Sequence, residues 1–336
     1  MQFKVLPTAC PEWDAFCAQH SGLIFHRCVW WEVLQRGLRY PVFACTLWKG
    51  DRLVLGLPVF LMNYKIVKLL HATIPYGTVL GDSRALPDFF VALHRFLAQQ
   101  GIDALLLGGG FPGSLPLVLS GYTPRVHPIH LLSLRGKSTA DLWKGYKSYT
   151  RRAVRKAQKS GVQVTSIQER SEIEDFYTLY LLAMKRNRAA AKYPRTLFYA
   201  IYDLLIATGN GDVLFATLGE KKIAGIMLLY SNNAAHYYFG GSDPSYYKYH
   251  PNDALFHAAI SEACALHKDL FDFMGSDAKD TQLMHFKAKW GALPYTLPFY
   301  EVVRRRSRYA LWTTGRRILT APVGSACIRL WQRIRS

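Results

Sequence analysis

The segment Phe286-Lys287-Ala288-Lys289-Trp290-Gly291 holds the strongest candidate for chemistry in this 336-residue chain. Phe286 and Trp290 are four residues apart and share one face of a helical turn. Lys287 and Lys289 therefore leave that face, and at least one of them can enter a cleft. A cation there could neutralise a phosphate or a developing oxyanion. A lysine snorkelling along the surface is the alternative. Upstream, Asp272 alternates with Phe271 and Phe273, so it faces opposite to them. A carboxylate flanked by aromatics could take up an amine proton, and a hydrogen-bonded structural aspartate fits the same pattern. Asp243, His250 and His285 are the other candidate bases. Gly240-Gly241 ends a β-run where a ligand or another backbone could come close, or where the strand bulges. His250-Pro251-Asn252-Asp253 then opens a helix whose free N–H groups can bind an anion. Asp253 would repel a phosphate there, and it can equally act as a cap. Taken in order, these pieces suit a phosphate-bearing acyl donor laid against a sheet.

Two α/β units are expected to position these groups. Phe43–Leu47 and Leu55–Val59 flank a Lys49-Gly50-Asp51 turn, and Phe215–Gly219 and Ala224–Leu228 flank Glu220-Lys221-Lys222. Alternating apolar residues around short polar turns predict a hairpin in each place. A helix and a further strand follow each: Leu86–Gln99 with Ile102–Leu107, and Asn252–His267 with Leu270–Phe273. The same plan therefore occurs twice. Punctuation at Gly121–Pro128 divides residues 1–128 from 129–305, with 306–336 as a basic amphipathic tail. Resemblance of the Gly240–Gly291 segments to GNAT-like acyltransferase domains implies a splay between the strand His236–Gly241 and the strand Leu270–Phe273, with Gly240, Gly241, His250 and Asn252 as donor contacts. In the first unit Leu107-Gly108-Gly109-Gly110 lacks the Gly-Lys-Ser/Thr of a phosphate loop and reads as a strand-end turn.

Residues Thr139–Ser160 predict one helix, capped by Thr139 or Asp141 and stopped by Gly161. Leu142, Tyr146, Tyr149 and Ala153 would line its buried face. Lys147, Arg151, Arg152 and Arg155 are candidate anion-binding cations on the rest, because seven cations and one acid exceed what intrahelical pairing uses, and resemblance to GNAT-like acyltransferase domains implies that they bind the acceptor. A solvated face is the alternative. Tyr177–Tyr202 reads as helical with a break at Lys192-Tyr193-Pro194, preceded by Arg186, Asn187 and Arg188.

Half of the residues are hydrophobic and the net charge is +19. This excludes global disorder and favours polyanionic partners such as tRNA, nucleotide-linked substrates or an acidic membrane face, with solubility as the plain alternative. Nine arginines and no acid lie in Arg304–Ser336, interleaved with Trp, Leu and Ile. That pattern suits an interfacial helix on anionic lipid, with RNA as a second partner class. The longest apolar run, Leu53–Met62, is too short to span a bilayer, and no signal-peptide core is expected at the N-terminus. Six cysteines without Cys-x-x-Cys or zinc spacing read as free thiols in a reducing cytosol, so the expected location is cytoplasmic with peripheral membrane contact.

The run Gly240–Ile260, followed by Phe271–Ser276 and Phe286–Gly291, resembles the acyltransferase domain shared by the Fem peptidyltransferases and the related BioF2-like domain of the GNAT superfamily. The resemblance covers Leu131–Arg304, with a weaker echo in the first third at Phe25-His26-Arg27 and Pro75–Asp82. It implies tandem GNAT-like units, each a mixed, mostly antiparallel sheet flanked by helices. It also implies transfer of an aminoacyl group from aminoacyl-tRNA, or an acyl group from acyl-CoA, to an amine on a cell-wall or cell-envelope precursor, with no permanently bound cofactor. Lys287 matches the family phrase Phe-Lys-x-x-Phe/Trp-Gly, and Arg155–Val162 matches a basic phrase beside the family's acceptor site. The usual GNAT pyrophosphate turn is replaced here by Tyr249-His250-Pro251-Asn252-Asp253-Ala254. This departure favours the tRNA donor over CoA. A non-catalytic basic module binding nucleic acid or anionic membrane is the alternative from another class.

Overall fold

The computed structural model describes residues 1–7, 10–119, 121–187, 189–277 and 279–320. Two compact units emerge among the described residues, 1–126 with 297–320, and 127–296. The sequence placed 297–305 in the second unit; the chain groups them with the first.

The first unit starts with β1 (Gln2–Leu6), α1 (Pro11–Gln19) and α2 (Cys28–Leu38). The hairpin β2 (Val42–Lys49) and β3 (Arg52–Asn63) closes through Gly50, whose φ of 59° needs no Cβ. β4 (Lys68–Ala72) and the short β5 (Leu80–Gly81) follow, then α3 (Leu86–Gln99) and β6 (Ala104–Gly108). α3 has the residue limits that its pattern predicts. Phe89, Leu93 and Leu97 recur every four residues and are buried. β4 and β6 run parallel across the helix, paired from Leu69–Ala104 to His71–Leu106.

The second unit repeats that plan. β7 (Arg125–Ser133), α4 (Thr139–Gly145), α5 (Ser148–Lys159) and β8 (Val162–Ser166) lead into α6 (Ile173–Arg186) and α7 (Arg195–Ile201). β9 (Gly211–Leu218) and β10 (Lys221–Tyr230) form the predicted hairpin, with the turn at Gly219-Glu220 rather than at 220–222. β11 (Ala234–Ser242), α8 (Pro251–Ala265), β12 (Leu270–Gly275) and α9 (Thr281–Ala288) complete it. The sheet order is β7-β12-β11-β10-β9-β8. α8 is buried along most of its length, and Leu255, Phe256, Ala259 and Ile260 join Phe271, Phe273 and Trp290 in one core.

β13 (Leu293–Val303) then pairs its second half with β6, from Phe299–Gly108 to Val303–Ala104. α10 (Arg306–Thr320) follows. The arginines before and in its first turn do not form a free lipid-facing strip. Arg304 Nη1 donates to the carbonyls of Leu97 and Ile102 at the end of α3. Arg305 and Arg308 stand 3.3 and 3.7 Å from the buried Asp103. These arginines satisfy carbonyls that a helix end leaves open and balance a buried carboxylate. The rest of the expected tail, 321–336, lies outside the described residues. Among the described residues no helix is long and apolar enough to cross a membrane.

Candidate active site

The parallel strands β11 and β12 are paired at only three positions: Ala234–Leu270, Ala235–Phe271 and His236–Asp272. Ladder pairing between the two strands ends there, in the stretch where the sequence placed the splay. β12 also slips against β7 between Asp272 and Gly275. The slip contains Met274 in the left-handed region, φ 61°, which a residue with a side chain rarely adopts.

Lys287, in the last turn of α9, reaches this strand end. Its Nζ donates to the carbonyls of Met274 (2.8 Å) and Gly275 (2.9 Å), and the residue is only 2% exposed. The sequence placed it in a cleft or along the surface; instead its stem is core. Burial lowers its pKa to about 8, against the opposing charges of Asp272 and Asp280. An ammonium carries three donors, so one remains after the two carbonyls. His130 of β7 and Ser276, both buried, have side-chain atoms (Nδ1 and Oγ) without a hydrogen-bond partner among the described residues. Burial, and then the nearby Lys287 charge, lowers the His130 pKa and keeps its ring neutral. Neither residue was legible in advance. His130 sits in an apolar run, and only the slipped register brings it beside the strand end.

Asp272 is fully buried. It accepts from His236 Nδ1 (2.8 Å) and from the Met274 backbone N–H (2.7 Å), and His236 Nε2 meets Ser231 Oγ at 2.9 Å. Ser231 is buried too, so this Ser–His–Asp chain has the order of a nucleophile relay without the access one needs. Asp272 therefore takes the hydrogen-bonded structural place and does not face a cleft. Asp243 caps the short turn Pro244–Tyr249 through the Ser245 N–H and lies 3.5 Å from Lys221 Nζ. Burial acts against ionisation, but these partners hold its carboxyl below the usual range, which makes it a weak base. His285 is exposed.

The glycine pair acts through packing. A Cβ on Gly241 would stand 2.3 Å from the Leu179 carbonyl group of α6, so glycine lets that helix lie directly on β11. A Cβ on Gly240 would meet the Tyr237 hydroxyl at 2.4 Å. The strand's bulge falls earlier, at the extra residue Tyr238. At the start of α8, His250 takes φ 54° and Asn252 Nδ2 donates to Ser242 Oγ (3.3 Å). Ser242 in turn contacts Tyr247, which Arg186 also reaches; Arg188 lies outside the described residues. Asp253 is not a bare negative charge facing this helix end. Lys289 Nζ sits 2.5 Å from it, both side chains are nearly buried, and His250 Nδ1 lies 3.6 Å away. The repulsion expected from Asp253 is therefore largely cancelled.

The basic helix is two helices. Ser138, not Thr139 or Asp141 alone, caps α4 in a reciprocal pair with Asp141. The chain extends at Tyr146 and Lys147, where the Lys147 N–H donates to the Lys289 carbonyl. The break resets the phase, so Thr150, Val154 and Ala157 are buried and Tyr149 is exposed. Arg151 donates to the carbonyls of Lys144 and Tyr146, closing the end of α4. Arg155 stacks over Trp143 at 5.4 Å. Lys147 and Arg152, with Lys156 and Lys159, are exposed and face solvent.

In the first unit His26 is fully buried, lowered to about 4 by that burial, and accepts from the Leu23 N–H. A Cβ on Gly109 would strike Pro298 at 2.2 Å, so this glycine serves backbone packing. Burial pushes the thiols of Cys28 and Cys45 well up, which removes both as nucleophiles.

Residues 144–288 match the family model for an acetyltransferase (GNAT) domain. The second unit carries a GNAT domain. Comparison with curated proteins yields no match. Among solved structures, FemX is 14% identical and covers 92% of this chain and 99% of its own, with a TM-score of 0.70. A tandem GNAT protein from the clavulanic acid biosynthesis pathway is 12% identical over 90% of this chain and 98% of its own, at 0.58. L-PGS from Bacillus licheniformis is 11% identical over 89% and 93%, at 0.55. The chain thus has a tandem GNAT fold of the Fem-like kind. The three-residue parallel pair, the splay and Lys287 all lie in the GNAT unit or on its sheet.

Proposed function

We propose that this protein transfers an aminoacyl group from aminoacyl-tRNA to an amine on a cell-envelope precursor. The observation that carries the reading is the splay of β11 from β12, with a buried lysine held at the strand end. An extended donor can lie along the edge of β11 where strand pairing stops, its carbonyl near Lys287. As the amine nitrogen bonds to that carbon, the ammonium offsets the charge growing on the oxygen. The donor's ester bond then breaks, and its leaving oxygen takes the proton that the amine gives up. Lys147 and Arg152 are the exposed cations suited to an acidic acceptor. A basic chain with +19 net charge also suits a tRNA donor.

One observation favours a second donor. With Asp253 matched by Lys289, the start of α8 no longer repels a phosphate, and acyl-CoA becomes a competitor despite the missing glycine turn. Thermal melting separates them. At about 100-fold excess over Kd a true donor adds about 2.7 kcal/mol and raises Tm. Charged tRNA is expected to do this with steep salt dependence, and acetyl-CoA to do little. A shift with acetyl-CoA alone would make this an acyl-CoA-dependent N-acyltransferase. No shift and no transfer with either donor would favour the non-catalytic reading.

A further inference from the structure

We propose that Asp272 is a positioning residue. With His236 and Ser231 it holds the left-handed turn at Met274, which presents two carbonyls to Lys287 and so decides where the ammonium stands. The inference rests on the reading that Lys287 handles charge in the transfer, and its test needs neither donor nor acceptor.

The geometry is continuous. Ser231 Oγ meets His236 Nε2, His236 Nδ1 meets Asp272 Oδ2, and Asp272 Oδ1 accepts the Met274 N–H at 2.7 Å. A carboxylate can only accept, so Nδ1 carries the proton, and in the neutral ring Nε2 accepts from the serine. All three side chains are buried, and such a chain is held in one arrangement because any rotation strands a polar atom. Met274 is the residue that needs holding. Its φ of 61° is unfavourable for a side chain with a Cβ and is compatible with glycine. An extended Met274 would carry its carbonyl and that of Gly275 off Lys287 Nζ, which they meet at 2.8 and 2.9 Å. The ionisable groups around Lys287 are Asp272 on β12, Asp280 at the start of α9 and His130 on β7. Asp272 thus acts on the lysine in two separable ways, through its charge and through the turn.

Three variants separate the two ways. Asp272→Asn removes the charge and keeps an acceptor for the Met274 N–H, while its Nδ2 donates to His236 Nδ1 as the neutral ring moves its proton to Nε2 and donates to Ser231 Oγ. Asp272→Ala removes both. Met274→Gly supplies a residue that takes the turn unaided. Full-length protein is labelled with acetic anhydride over a pH series, and Lys287 acetylation is read by mass spectrometry. The rate at high pH, where the amine is neutral in every variant, reports its exposure.

Asp272→Asn is expected to keep the wild-type high-pH rate and to shift only the titration midpoint. Asp272→Ala should raise that rate at least about fivefold, as the unheld turn opens. Adding Met274→Gly to Asp272→Ala should return the whole profile to that of Asp272→Asn. If Asp272→Ala does not fold, the double variant is expected to fold and to match Asp272→Asn. Equal high-pH rates in the Asn and Ala variants, a double variant that stays fast, or one that stays unfolded overturns the proposal. Because no acyl donor enters, each result stands apart from the donor tests.

Discussion

Replacing Lys287 by methionine tests whether the site is built on a buried charge. Burial holds the ammonium at about 8 against an ordinary 10.5. At about 1.4 kcal/mol per unit, that depression costs the fold about 3 kcal/mol while the lysine is charged in both states. The unfolded chain binds this proton more tightly. The cost is therefore complete below the folded value and is relieved as pH climbs from about 8 to the unfolded value. Wild-type stability should gain on the methionine variant by about 2–3 kcal/mol between about pH 7.5 and 10. Titrating groups that do not couple to Lys287 cancel in the comparison, and His130, which does couple to it, is held below the ordinary imidazole value and so outside this pH range. Urea unfolding followed by tryptophan fluorescence measures it, fitted with two transitions because the units need not unfold together. A gap that stays flat with pH would refute a desolvated charge at this position. The structure predicts a stability loss as well, since two buried carbonyls lose their donor. In transfer assays, kcat/KM of Lys287→Ala should be compared with wild type only under conditions where both are folded.

Gly241→Ala should destabilise the second unit by about 2–3 kcal/mol, because the new methyl meets α6 backbone that cannot yield as a side chain does; chemical unfolding reads it. Asp253→Asn should cost about 3 kcal/mol by stranding Lys289, and Lys289→Met in the same chain should recover most of that loss, a double-mutant cycle that a surface pair would not show. For the tail, deleting 321–336 should leave Tm within a few degrees yet weaken binding to anionic vesicles at low salt. A cut at 307 should instead lower Tm, because it removes Arg308 beside Asp103 and the buried Tyr309. Vesicle binding that is unchanged by the shorter deletion would end the tail-anchor idea.

Local pattern carried much of this architecture. The four-residue recurrence of Phe89, Leu93 and Leu97 set α3, and alternation about Lys49–Asp51 and Glu220–Lys222 set two hairpins to within a residue of the second turn, because helix and strand periods are properties of neighbouring residues. The order of motifs from Gly240 to Gly291 likewise pointed to the GNAT fold and to a splay between β11 and β12. What local pattern could not carry was the partner of each polar group. Lys289 finds Asp253 across 36 residues, and the same lysine's carbonyl takes the Lys147 N–H that breaks the basic helix. Arg304 and Arg305 read as free charge and are spent on α3 and Asp103. Lys287, with a long aliphatic stem and a charged tip, is compatible with surface, cleft or core. Only the slipped register of β12, which turns two carbonyls inward at Met274, decides for the core. Desolvation and hydrogen bonding depend on what the rest of the chain brings within a few ångströms, and that is settled by packing.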